Sequence, residues 1–111
     1  MRILFVDEDL MLACTHISAG RRRWGADCAK IVARRLDELG AASVLEDVRH
    51  LRGARCHELT GDRLGTLSVH AKEPFRLIFR PADDPVPRKP DGGLEWAKVK
   101  SIIVLEVVDY H

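Results

Sequence analysis

No apolar run in this sequence approaches the ~20 residues that a helix needs to cross a bilayer, which excludes a membrane-spanning helix. The first apolar stretch, Met1 to Val6, carries one positive charge and is cut off by Asp7-Glu8-Asp9, so it does not read as a signal peptide. Cysteine is scarce: Cys14, Cys28 and Cys56 are odd in number and form no Cys-x-x-Cys pair. This argues against a disulfide frame and a close-spaced zinc site, and it fits reduced thiols in a cytoplasm. Net charge is nearly missing as well, at +1, which is weak support for a protein that lives by nucleic-acid contact. Internal repeats and low-complexity tails are absent.

What is present is an ordinary composition, 46% hydrophobic and 32% charged over 111 residues. A chain of this length buries somewhat over ~60% of its unfolded surface, enough for one domain over residues 1–111 with one core. The small net charge conceals segregation. Arg21, Arg22, Arg23, Lys30, Arg34 and Arg35 stand against Asp27 alone, and the acids Asp37, Glu38, Glu46 and Asp47 follow. Arg49, Arg52, Arg55 and Arg63 come next, offset by Glu58 and Asp62. A basic helix beside basic loops suits phosphate contact; a solvated face with ordinary charge pairing accounts for the same pattern.

Arg2 to Val6 reads as a strand. Asp7 is placed as an N-cap, with Glu8 and Asp9 meeting the positive end of the helix dipole. Leu10, Ala13, Cys14 and Ile17 recur at helical spacing, Gly20 ends that helix, and Trp24-Gly25 marks a second break. A longer helix runs from about Ala26 to Leu39, with Cys28, Val32, Leu36 and Leu39 as its apolar stripe, the arginines opposite and Gly40 as its C-cap. One or two helical turns around Val44, Leu45 and Val48 precede the strands. Cys56 to Leu59, the alternating segment about Leu67 and Val69, and Phe75 to Arg80 are strands, with a turn at Thr60–Arg63 and a corner at Glu73-Pro74. Phe75, Leu77 and Phe79 face the core, so Arg76 lies on the other face. Pro81 to Gly93 holds four of the five prolines and is a long loop. A short helical turn at Leu94–Lys98 leads to an apolar strand, Ser101 to Val108, placed inside the sheet. The order β-α-α-β-β-β-β gives an α+β domain: two main helices on a twisted, mostly antiparallel sheet of four to five strands.

The last strand carries Asp109-Tyr110-His111, a carboxylate, a phenol and an imidazole that can exchange protons near neutral pH. Upstream stand His57, Gly61-Asp62-Arg63-Leu64-Gly65, Ser68-Val69 and Arg76-Leu77-Ile78-Phe79. Together these segments resemble the HigB branch of the RelE/ParE toxin superfamily, the plasmid-maintenance killer proteins. The Pro81–Gly93 loop through Trp96 is similar to that of a longer subgroup of them.

The resemblance implies a RelE-like fold and a metal-free, cofactor-free endoribonuclease that cuts mRNA in the ribosomal A site. The 2′-hydroxyl attacks the adjacent phosphate, giving a 2′,3′-cyclic phosphate and a free 5′-hydroxyl, which calls for a base, cationic donors and an acid. It implies proton transfer or phosphate stabilisation for His57, phosphate contact for Arg76, and a proton-handling set in Asp109, Tyr110 and His111. The terminal carboxylate on His111 favours its protonated form. Arg63, Arg55, Arg22 and Arg23 are the further candidates for RNA phosphates. The implied partners are a HigA-like helix-turn-helix antitoxin, through which alone DNA is bound, and the ribosome with its mRNA. Each residue also has a plain reading: a strand-end histidine bonded to backbone, a sheet-face arginine paired to Glu106 or Asp109, a turn pair of Arg63 with Asp62. Thr60 stands where related toxins commonly have lysine, and Leu67 where an aromatic often precedes the serine; both departures weaken RNA engagement. A ParE-like inhibitor of DNA gyrase without nuclease chemistry, and a decayed toxin that only binds its antitoxin, are the alternatives.

Overall fold

The computed structural model describes residues 1–109. Strand β1 (Arg2–Phe5) leads into three helices, α1 (Glu8–Thr15), α2 (Ile17–Trp24) and α3 (Ala26–Ala41). A 3-10 turn at Leu45–Val48 precedes β2 (His57–Glu58), and another at Gly61–Arg63 precedes β3 (Leu67–His70). β4 (Phe75–Pro81), a 3-10 turn at Trp96–Lys98 and β5 (Ser101–Asp109) follow. The five-stranded sheet has the order β1-β5-β4-β3-β2. β1 runs parallel to β5 and every other pair is antiparallel, so this is the α+β class expected. β5 is paired on both sides, as its apolar sequence requires. Among the described residues no helix is long and apolar enough to cross a membrane.

The helical layer differs from the expected pair. The Asp7 carboxylate caps α1 by accepting from the Leu10 amide at 2.8 Å. The helix then stops at His16, whose φ of −114° and ψ of 114° are extended, with no glycine or proline to announce it. Ile17 therefore leaves the apolar stripe and is 54% exposed. Gly20 ends nothing: it is buried within α2, where an added Cβ would lie 2.6 Å from the Ala13 carbonyl oxygen. Its role is close approach of α2 to the preceding helix. Gly25, at φ 84°, makes the expected break. Gly40 is not a cap either, since α3 continues to Ala41.

The α3 stripe of Cys28, Val32, Leu36 and Leu39 packs on Leu67, Val69, Leu77, Phe79, Ile102 and Val104 from one face of the sheet. Full burial of each such side chain stabilises by roughly 1.5–3 kcal/mol. Leu94, Trp96 and Val99, after the proline-rich segment, also enter this core. That segment is tied back through Asp83, which accepts from the amides of Lys100 and Ser101 and from Ser101 Oγ at 2.7 Å. Burial alone would raise the Asp83 pKa, but these hydrogen bonds outweigh it and hold the carboxyl below its ordinary value.

Arg35 was grouped with the arginines opposite the stripe, yet it is only 6% exposed. Its Nε donates to the His70 carbonyl at 2.8 Å, its Nη2 to the Gly53 carbonyl at 2.7 Å and its Nη1 to Glu38 at 2.9 Å. A guanidinium fork can satisfy that many acceptors, which is why a charge is tolerated there. It joins α3 to the end of β3 and to the loop before β2.

Candidate functional site

Strand alternation decides which side chains share the face away from the helices. Leu67 and Val69 of β3, and Leu77 and Phe79 of β4, point into the core, so Ser68, His70, Arg76 and Ile78 point the other way. On β5 the phase would fail without a bulge. Ile102 and Val104 face the core, yet Ile78 pairs with Glu106 while Phe79 pairs with Val104, leaving Leu105 as the extra residue. The bulge turns Glu106 onto the outer face and returns Val107 to the core side. Arg63, arriving from the Gly61–Arg63 turn, donates to Glu106 at 3.2 Å across the sheet.

His57 is opposite Ser68 in the β2–β3 pair, and Arg76 is opposite His70 in the β3–β4 pair. Both therefore stand on this outer face, with Cα atoms roughly 12 Å apart from two strand spacings and two residue steps. The neighbouring Glu58 faces the core side, where it accepts from Trp96 Nε1 at 3.0 Å. His57 Nδ1 is 2.9 Å from the Arg55 carbonyl oxygen. A carbonyl only accepts, so Nδ1 carries a proton, and in the neutral ring it is Nε2 that holds the lone pair for a substrate proton.

The Arg76 guanidinium bends to the hairpin turn. Its Nη1 lies 2.9 Å from His70 Nδ1 and 3.2 Å from Glu73 Oε1. Burial, and then the Arg76 charge, push the His70 pKa down, against the opposing pull of Glu73. Although Glu73 Oε1 is also 3.2 Å from His70 Nδ1, a neutral imidazole accepting from Arg76 is the consistent arrangement, with its proton on Nε2. The two histidines thus present opposite tautomers: His57 offers an acceptor at Nε2 and His70 a donor.

Arg35, Arg52, Gly53, Arg55, His70 and Glu73 line a shallow cleft of about 490 Å³ at this end of the sheet. Arg55 reaches it from a left-handed backbone, φ 47°, which costs a non-glycine residue about 1–2 kcal/mol. Thus Arg55 and Arg76 are brought together around His70, with His57 beyond. Arg22 and Arg23 are not. They lie on α2 in the helical layer, Arg22 in a separate shallow depression with Ser18, Arg21 and Ala26, and Arg23 stacked over Trp24. Asp109 pairs with Phe75, so alternation sets it on the helix side of the sheet rather than on the face of Arg76. Tyr110 and His111 lie outside the described residues.

Leu67 is 1% exposed and faces the core, so an aromatic ring at that position would pack inside rather than stack on a base. Thr60 does face solvent, beside Gly61, Asp62 and Arg63. Ser68, in the row between His57 and Ile78, is fully buried, and its hydroxyl has no partner among the described residues. Sequence reasoning missed His70, Glu73 and Arg52. The Pro74 corner was the available signal, since a hairpin about it sets His70 opposite Arg76.

The sheet order and the helical layer on its one face are a fold shared with a solved toxin structure. Over 100% of both chains the structure matches the YoeB/ParE toxin from Agrobacterium tumefaciens, with a TM-score of 0.57 and 10% sequence identity. At that identity the likeness is one of fold. No protein-family model and no curated protein matches the sequence.

Proposed function

We propose that this chain, as one RelE/HigB-like domain, is the toxin of a type II toxin–antitoxin pair and cuts mRNA on the ribosome in the cytoplasm. The observation that carries the proposal is the shared outer face of a toxin-type sheet, on which His57 and Arg76 stand two strands apart. His57 Nε2 takes the proton of the ribose 2′-hydroxyl as O2′ bonds to phosphorus. The P–O5′ bond breaks, leaving a 2′,3′-cyclic phosphate, and O5′ takes up a proton to become the free 5′-hydroxyl. Arg76 and Arg55 stabilise the charge that develops on the phosphorane oxygens, with Arg63 beside them. On the resemblance, Tyr110 positions the attacking hydroxyl or stacks on a base and His111 supplies the leaving-group proton. The partner is a HigA-like helix-turn-helix antitoxin that silences this face and alone contacts DNA.

A second reading has its own support. Thr60 supplies no cation, and Arg76 is engaged by Glu73, as suits a ParE-like inhibitor of gyrase or a chain that only binds its antitoxin. A translating extract separates them. Purified protein should produce new, codon-phased mRNA 5′ ends that vanish in both His57→Ala and Arg76→Ala, while gyrase supercoiling is untouched. Cuts that persist in both variants, or blocked supercoiling without cuts, would refute the nuclease.

A further inference from the structure

We propose that the cleft at the turn of the β3–β4 hairpin is an anion site, filled in the free protein by the chain's own Glu73 and taken over by a phosphate group. Cationic and donor groups converge there from three segments: Arg52 and Arg55 from the loop before β2, His70 from the end of β3, and Arg76 from β4. The buried Arg35 adds its charge from α3, and its own donors are already committed to Glu38 and to two backbone carbonyls. Among the described residues, neither Arg52 nor Arg55 forms a salt bridge. Glu73 is the one carboxylate among the described residues lining the cleft.

Glu73 is a poor structural element and a good temporary occupant. The turn is closed without it, by the Phe75 amide donating to the Lys72 carbonyl at 2.7 Å and the Ala71 amide to the Phe75 carbonyl at 3.1 Å. Its carboxylate accepts from Arg76 Nη1 at 3.2 Å, with His70 Nδ1 at the same distance, and its side chain is 59% exposed. It can swing into solvent without breaking a backbone contact. A phosphate has more acceptor oxygens than a carboxylate and meets several guanidinium forks at once. His70, with its proton on Nε2, is a further donor toward such a group. The left-handed Arg55 backbone is a local strain of the kind that aims a side chain at a ligand.

The cleft shares Arg55 and Arg76 with the proposed nuclease site, so the inference deepens that reading by saying what holds the site before a phosphate arrives, and the two must be able to fail separately. The test therefore uses probes that cannot be cleaved: inorganic phosphate, and a short single-stranded oligodeoxynucleotide, which lacks the 2′-hydroxyl. Binding to the intact protein is followed by NMR shifts of the His70 ring and the arginine Nε signals. Glu73→Gln should tighten binding by roughly three- to tenfold, the reach of a released surface ion pair and a removed like charge. Arg55→Gln and Arg76→Gln should each weaken it, with amide dispersion reporting that the variants stay folded. Tightening for phosphate alone identifies a free or terminal phosphate as the source, and tightening for both identifies the nucleic-acid backbone. Unchanged affinity for both probes in Glu73→Gln overturns the proposal, as does binding indifferent to both arginine changes. Loss of mRNA cutting with tightening intact would sink only the nuclease.

Discussion

Replacing Arg35 with alanine is the sharpest test of how this fold holds its site. The guanidinium is 6% exposed and donates to two backbone carbonyls, those of His70 and Gly53, besides Glu38. Each hydrogen bond from a charged donor is worth about 1.5–3 kcal/mol. Removing the donor leaves both carbonyls wanting partners, and partial hydration of the vacated space returns some of the loss. A net destabilisation of about 3 kcal/mol is expected, a drop in Tm of roughly 12–20 °C for a chain of this size. Urea denaturation gives the same quantity through the midpoint, with an unchanged slope if the unfolded state is unaffected. Arg35→Lys should lose about half as much, since one ammonium reaches one carbonyl at a time. In either variant the His70 and Arg55 signals should move first, because the Ala54 carbonyl also accepts from the His70 amide at 2.7 Å. A loss below ~1 kcal/mol in Arg35→Ala would mean the clamp is decorative, and the reasoning about a charge buried for three acceptors would fail.

Other outcomes follow from the same geometry. Ser68→Ala should stabilise by about 1 kcal/mol, because it deletes a buried hydroxyl that has no partner among the described residues; a loss of stability in a melt would show that the hydroxyl is satisfied. Asp83→Ala should cost about 1–2 kcal/mol at pH 7, by loss of the hydrogen bonds to Lys100 and Ser101. The folded Asp83 carboxyl titrates below its ordinary 3.8, so that stability is present above this value and lost as pH falls through the lower folded one. A stability gap between wild type and variant that stays constant down to strongly acid pH would contradict it. Burial pushes the Cys14 and Cys56 thiols up to about 12 and raises Cys28 as well, so native protein should resist iodoacetamide at pH 8 and react only on unfolding. Labelling of Cys56 at the rate of free cysteine would count against its burial.

Much of the fold was legible because it rests on periodicity. The α3 stripe, the alternation in β3 and β4 and the two-sided apolar run of β5 were readable, and each is a direct record of which faces are buried. The misses have physical reasons. Glycine ends helices and also lets them touch, and nothing local told the second use from the first at Gly20. The stop at His16 comes at an extended backbone with no breaker residue in the sequence. Arg35 reads as polar, and its burial is visible only once its three acceptors are in place. For the site, Arg76 on the outer face was legible from its core-facing neighbours. The bulge at Leu105 was not, and Asp109 joined the candidate set on the resemblance, which carries no strand phase; the register sets it on the other face from Arg76. The Glu73–Arg76–His70 contact is a product of hairpin register.

The pairing of β1 with β5 joins Arg2–Phe5 to residues 101–104, nearly the full length of the sequence. During synthesis the first strand must wait for β5 before it has a neighbour, and β4 also lacks its longest partner until then. A nascent chain that has emerged only as far as the proline-rich segment has helices and a hairpin but no completed sheet. The outer face that carries His57 and Arg76 is therefore backed by a closed sheet only once β5 has been made and has found both of its neighbours.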